Sequence, residues 1–209
     1  MKYFIFCCGI LGAFLFIAAS IIGGLQIEGY SFTAQYISES FSEGLPNVAF
    51  LRYMYIVSGC LLLLFGFTAP QALSLSKVAK GGFYLFGIFY GLGTATVALF
   101  PCDFGCPTAI ESSSLSQLIH NASASFTYMV VPVCLLIIGL SLRSRDGLIG
   151  VSKVSLICGA LSLVFVVFLF GNTSSPFIGL FQRIIEGSIL FWVVYCSFYV
   201  LKTSKNFQI

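Results

Sequence analysis

Almost every charged side chain in this chain sits in or beside the gaps between six long apolar runs, and the sign of the charge alternates from gap to gap. Few folds tolerate that pattern. About 20 apolar residues are needed to cross a hydrocarbon core, and the runs fall at 3–25, 48–69, 82–101, 121–142, 151–171 and 180–201. Charged residues make up 8% of the chain, against about 25% in a soluble domain. The segments between the runs are too short to form a soluble domain. In hydrocarbon only a helix or a closed barrel satisfies its own backbone, and runs this long and continuously apolar specify helices. The expectation is an all-α polytopic membrane protein, one domain over 1–209, built as a bundle of six transmembrane helices.

The basic residues orient it. Cytoplasmic loops are enriched in Lys and Arg. Lys2, Lys77, Lys80, Arg143, Arg145, Lys153, Lys202 and Lys205 fall on one side of a six-span arrangement, eight of the 10 basic residues. Glu28, Glu39, Glu43, Asp103 and Glu111 fall on the other, Glu186 lies in the first turns of the last run, and Asp146 alone sits among the basic loops. Both termini are therefore expected in the cytoplasm, with three loops outside, and the location is a cell membrane, most naturally a bacterial inner membrane. The net charge of +3 is then a topogenic bias. A nucleic-acid site needs clustered basic residues, and no Walker motif or nucleotide domain is present, so neither partner is expected. The first run has the basic start of a signal peptide but exceeds the usual apolar length of one. It is expected to stay as a span.

Loop one, 26–47, is QIEGYSFTAQYISESFSEGLPN. Tyr30, Thr33, Ile37 and Phe41 recur every three or four residues, which permits a short interfacial or re-entrant helix. Glu43-Gly44-Leu45-Pro46-Asn47 ends it, because Gly and Pro stop helices. Loop two, 102–120, opens with CDFGC; loop three, 172–179, is short. Of eight Cys, six lie within apolar runs and behave as small hydrophobes. Cys102 and Cys106 flank Asp103-Phe104-Gly105 on the expected outer side, where a disulfide persists. Zinc needs three or four close N, S or O ligands, and the spacing of the two Cys, Asp103 and the single His fits no common site, so no metal and no cofactor is expected. One His also excludes bis-His haem ligation. Asn121 and Asn172 begin glycosylation patterns so close to span ends that modification is not expected. Gly87-x-x-x-Gly91-x-Gly93 supplies small residues for close helix approach.

Ionisable groups within spans are functional candidates, and several share one depth. Arg52 starts span two, Asp103 ends span three, His120 opens span four, and Arg183 with Glu186 occupies the first turns of span six. Ser38 and Glu39 join them if loop one folds back. No charge falls near the midplane of a span. Arg183 and Glu186 stand i,i+3 and can pair; Arg52 can snorkel to lipid phosphate. Three functions remain open. Glu39, Arg52, Arg183 and Glu186 would line an outward polar pocket for an amphipathic, lipid-like ligand, since Arg suits carboxylate or phosphate. Ser38 as nucleophile, His120 as base and Asp103 as its orienter would make a lipid hydrolase or transferase. A closed polar cluster with a flat face at Gly87 and Gly91 would suit an accessory subunit packed on another membrane protein.

Four segments carry a family resemblance: Tyr36-Ile37-Ser38-Glu39, Phe100-Pro101-Cys102-Asp103, His120, and Gly179-Leu180-Phe181-Gln182-Arg183 with Trp192. In order and topology the chain resembles the DUF998 family of six-span membrane proteins over essentially its whole length. The resemblance implies an integral membrane protein whose Ser38, Glu39, Asp103, His120 and Arg183 belong together, and it supplies no reaction. Cys106 is not part of it.

Overall fold

The computed structural model describes residues 1–73, 75–107 and 113–202; Glu111 and Lys205 of the charge pattern lie outside them. Six helices span the apolar runs: α1 (Lys2–Leu25), α2 (Val48–Gln71), α3 (Lys77–Leu99), α4 (Leu115–Leu142), α5 (Ile149–Gly171) and α6 (Ile178–Lys202). Their best 18-residue windows have mean hydropathy between 1.5 and 2.6, and large apolar side chains cover the outside, among them Phe14, Ile21, Ile157 and Val167. An apolar exterior is what hydrocarbon selects. The described residues contain no strand.

Helix ends outrun the apolar runs because caps, not hydropathy, set them. The Ser76 side chain accepts from Ala79 N–H at the start of α3, and Ser114 does the same for Gln117 at the start of α4. Each satisfies one of the donors a helix start leaves orphaned. Consequently α4 begins several residues earlier than the apolar pattern indicates, and His120 lies more than a turn inside it.

Small residues hold the bundle together, as expected where lipid removes most of the hydrophobic drive between helices. A Cβ on Gly59 of α2 would stand 2.5 Å from the Gly91 carbonyl oxygen, and one on Gly66 would stand 2.5 Å from Gly87 Cα. The Gly87/Gly91 face of α3 is thus spent inside the molecule against α2. Hydroxyls bridge other pairs: Ser58 Oγ donates to Gly12 O at 2.7 Å, Ser152 Oγ to Gly139 O at 2.7 Å and Thr127 Oγ1 to Phe89 O at 2.7 Å. Trp192 is fully buried among Phe65, Phe83 and Phe86, and its indole N–H donates to Ser155 Oγ at 2.7 Å.

Two features bear on the site. Gly87–Leu92 of α3 is a π-helical turn, a rare insertion that re-aims side chains and is frequent at functional sites. Loop one contains no α-helix. Its only helical piece is the 3₁₀ turn Ser38–Phe41, and Ile37 and Phe41 are 4% and 2% exposed. The three-to-four spacing is real but brings these two side chains into the mouth of the bundle, not onto an interface.

Gly59→Val should lower the apparent Tm in detergent by at least about 5 °C, since overpacking costs roughly 1–3 kcal/mol or more and a few degrees accompany each kcal/mol in a chain of this size. Gly81→Ala, with no atom within 4 Å of the added Cβ, should leave Tm unchanged. Equal Tm values for the two would remove the close α2–α3 contact as a determinant.

Candidate functional site

The loop end of the bundle is organised by the start of α6, which receives the backbone of loop one. Gly179 leaves room for the Gln35 carbonyl, which a Cβ there would strike. Leu180 N–H donates to Thr33 O at 2.9 Å. Gln182 Oε1 accepts from Ile37 N–H at 2.7 Å. Arg183 donates through Nη1 to the carbonyls of Phe32 (2.6 Å), Gln35 (2.8 Å) and Gly179 (3.0 Å), and through Nη2 to Tyr30 Oη at 2.7 Å. Its guanidinium also lies 5.6 Å from the Tyr30 ring centroid and 5.1 Å from that of Phe32, within cation–π range. Loop one closes on itself as well. Glu39 accepts from Tyr36 N–H at 2.8 Å and Gln35 Nε2 at 2.9 Å, and Tyr30 Oη donates to Tyr36 O at 2.6 Å.

Arg183 therefore does not pair with Glu186. The two are i,i+3, but Arg183 turns up to loop one while Glu186 turns into the bundle. Glu186 is 6% exposed; its Oε1 accepts from Tyr128 Oη at 2.8 Å and its Oε2 from Tyr90 Oη at 2.6 Å. Tyr90 belongs to the π-helical turn of α3, and Gln182 Nε2 donates to Tyr128 Oη at 2.7 Å. One hydrogen-bonded chain thus runs from loop one through Gln182, Tyr128 and Glu186 to α3. Glu186 stands eight residues below the start of α6, about 12 Å down at about 1.5 Å per residue. Glu186 thus lies in the outer third of α6, short of its middle, and is enclosed by the bundle there.

The other expected site residues divide. His120 is 4% exposed, and its Nδ1 lies 3.1 Å from Val97 O and 3.0 Å from Phe100 O. Carbonyls only accept, so Nδ1 carries the proton, and in the neutral ring Nε2 presents a lone pair. These carbonyls are orphans of the α3 C-terminus, so His120 also caps that helix. Asp103 does not orient it. Its carboxylate accepts from Ser114 N–H at 2.9 Å, and hydrogen bonding from Ser114 holds the carboxyl below the usual range. Asp103 N–H meanwhile donates to Gln117 Oε1 at 2.7 Å. Arg52 serves loop one, with Nε donating to Phe41 O at 3.2 Å and Nη1 3.4 Å from Glu43; its Nη2 is buried without a partner.

Cys102 and Cys106 are joined as a disulfide, Cα atoms 5.1 Å apart. Cys106 takes φ +46°, beside Gly105 at φ +74°, the left-handed backbone that so short a ring demands. The ring packs on loop one: Cys106 Sγ lies 3.4 Å from Ser38 Oγ and Cys102 Sγ 3.6 Å from Ser38 O. With both sulfurs bonded to each other, and Asp103 and His120 facing different partners, these four residues form no shared donor set for a metal.

Three cavities surround the Tyr128–Gln182–Glu186 cluster. An inner chamber of about 50 Å³ is lined by Ser38, Tyr55, Thr94, His120, Tyr128 and Glu186, among others. A vestibule of about 240 Å³ shares Ser38, His120, Ala124, Tyr128 and Gln182 with it and reaches Cys106 and Asn121. A groove of about 200 Å³ between α1 and α6 shares Phe16, Ile37 and Glu186 with the chamber and continues past Ile17, Ile21 and Leu190. Tyr55 is 1% exposed, and its hydroxyl has no hydrogen-bond partner, Ser20 being close but not in hydrogen-bonding geometry. Sequence reasoning missed Tyr55, Tyr90, Tyr128 and Gln182. Tyr and Gln in an apolar run carry no charge to mark them, and only the depth of Glu186 could have asked for donors around it.

Arg183→Met should expose loop one, raising amide exchange at 32–37 roughly 10- to 100-fold, because hydrogen bonds to a charged group are worth about 1.5–3 kcal/mol each. Arg183→Lys should restore only part of the protection, since a compact ammonium cannot reproduce the planar fork. Full protection in Arg183→Met would show that the clamp does not hold the loop.

The sequence profile of one family, described as protein of unknown function DUF998, matches residues 10–199. No curated protein and no solved structure matches the chain. With six membrane-spanning helices and a profile match over nearly its whole length, the chain belongs to the DUF998 family of multi-pass membrane proteins.

Proposed function

We propose that the protein binds an amphipathic, lipid-like molecule, with its polar head in the inner chamber and its apolar part along the α1–α6 groove. The observation that carries this reading is that the two spaces adjoin, with Phe16, Ile37 and Glu186 lining both. A chamber with polar groups at Ser38, His120, Gln182 and Glu186 lies beside an apolar slot whose rim, Ile17 and Ile21, is 45% and 48% exposed. Few solutes other than an amphipath match both. By the positive-inside rule the loop end faces outside, so the molecule would be drawn from the outer leaflet of the cell membrane. The Gly87/Gly91 face, which would have suited an accessory subunit, is covered by α2.

A second reading, a lipid hydrolase or transferase, is supported by one observation. Ser38 and His120 both line the junction of chamber and vestibule, and His120 presents a free Nε2 with Nδ1–H anchored, the tautomer a general base requires. Backbone carbonyls take the orienting role expected of Asp103.

Ala124 lines chamber and vestibule alike. Ala124→Phe should abolish retention of a specific lipid in native mass spectrometry while leaving Tm within a few degrees of wild type. A lipid retained equally by both proteins would remove the chamber as its site. If turnover of a lipid ester is found, Ser38→Ala and His120→Ala should each reduce it at least about 100-fold, the span of general acid–base contributions; unchanged turnover in either would dismiss the enzyme.

A further inference from the structure

We infer that the head group this chamber accepts is a protonated amine, and not an anion such as a phosphate. The inference rests on the reading that an amphipath binds here at all, and it reverses what the two arginines of the sequence suggest.

The inventory of charge decides it. Neither arginine lines the chamber. Arg183 reaches the groove, but its guanidinium already meets three carbonyls, one hydroxyl and two aromatic faces. Arg52 is held by Phe41 O and Glu43. The one ionisable group shared by chamber and groove is Glu186. A carboxylate offers about four lone-pair positions, and Tyr90 and Tyr128 occupy two. Acceptor capacity is left over at the mouth of the groove. His120 Nε2 adds a second acceptor in the neutral ring, and the partnerless Tyr55 hydroxyl can accept or donate. An incoming ammonium has three donors and no acceptor, which suits the acceptors of Glu186 and His120. A phosphate would bring acceptors to acceptors and a like charge to Glu186 in a low-dielectric setting, where repulsion is strongest. Size points the same way. A water requires about 10–15 Å³ of such space, so about 50 Å³ admits an ammonium with a water or two.

The probes are hexylammonium, hexanol and hexyl phosphate, titrated at neutral pH against the full chain in nanodiscs of zwitterionic lipid and read by calorimetry and shift in Tm. Hexylammonium should bind saturably, at least about 10-fold tighter than either other probe, which corresponds to about 1.4 kcal/mol. Glu186→Gln should weaken it by at least about the same factor, and Ala124→Phe should abolish it. Hexanol or hexyl phosphate binding as tightly, and blocked by Ala124→Phe, would overturn the amine while leaving the amphipath site standing. Binding of all probes alike, or of none, with no effect of Ala124→Phe, would overturn both. Should Glu186→Gln fail to fold, the ranking of the three probes on the wild type still decides.

Discussion

A carboxyl group buried inside a transmembrane bundle has to find its donors within the protein, because the bilayer offers none and an unsatisfied polar group there costs several kcal/mol. Glu186 imposes that requirement on its neighbours. Two tyrosines must reach it from different helices, and Tyr90 does so from a π-helical turn. The turn also offers the Phe89 carbonyl, which accepts from Thr127 of α4, so the local departure from α-helix is matched by a bond across the bundle. Tyr128 in turn needs its hydroxyl fixed, and Gln182 fixes it from one turn above Glu186. The other end of that same Gln182 side chain takes the Ile37 amide. Burial of one carboxyl group therefore links α3, α4, α6 and loop one into one arrangement. Removing any member leaves a polar atom stranded.

Loop one is the element this arrangement shapes most. It carries no helix long enough to hold itself, so its conformation is set by what receives it. Gly179 makes space, and Leu180, Gln182 and Arg183 each take a loop backbone group. From the other side the Cys102–Cys106 ring sits against Ser38, and Glu43 N–H donates to Cys102 O at 2.9 Å. The loop is clamped between α6 and loop two, with Ile37 and Phe41 as its apolar plugs. Two of the segments that carry the family resemblance, Tyr36–Glu39 and Gly179–Arg183, are thus halves of one contact.

That contact explains what could and could not be read from the sequence. Six spans were legible because hydrocarbon selects composition residue by residue, and no partner is needed to see it. Arg183, Glu186, Ser38 and His120 were legible as a group because charge or hydroxyl near a span end stands out against Leu and Phe. Their pairing was not. The i,i+3 spacing of Arg183 and Glu186 permits a bond, but carbonyls of loop one outbid the carboxylate for the guanidinium, and that competition involves residues 150 positions away in sequence. Asp103 and His120 were brought to one end by topology and then separated by the cap at Ser114, a contact of the loop with itself. Loop one read as amphipathic because its apolar spacing is the same whether the apolar side meets lipid or the mouth of the bundle.

The routes into the chamber differ in what must be broken. From above, the loop-one clamp would have to open, exposing charge-assisted bonds at Arg183 that only water or headgroups could replace. From the side, widening the gap between α1 and α6 moves Phe16 and Ile17 away from Leu190, and lipid tails replace such contacts at little cost. On the proposed reading the lateral path is therefore the one by which an amphipath exchanges, and loop one is a fixed roof whose stability does not limit entry. The vestibule beside Cys106 then serves the polar side, admitting water or a small polar product past Ser38 and His120 without the tail leaving the groove. On the same reading, an apolar side at Phe16, Ile37 and Glu186 and a polar side at Ser38 and His120 suit a bound lipid whose head is presented to the outside.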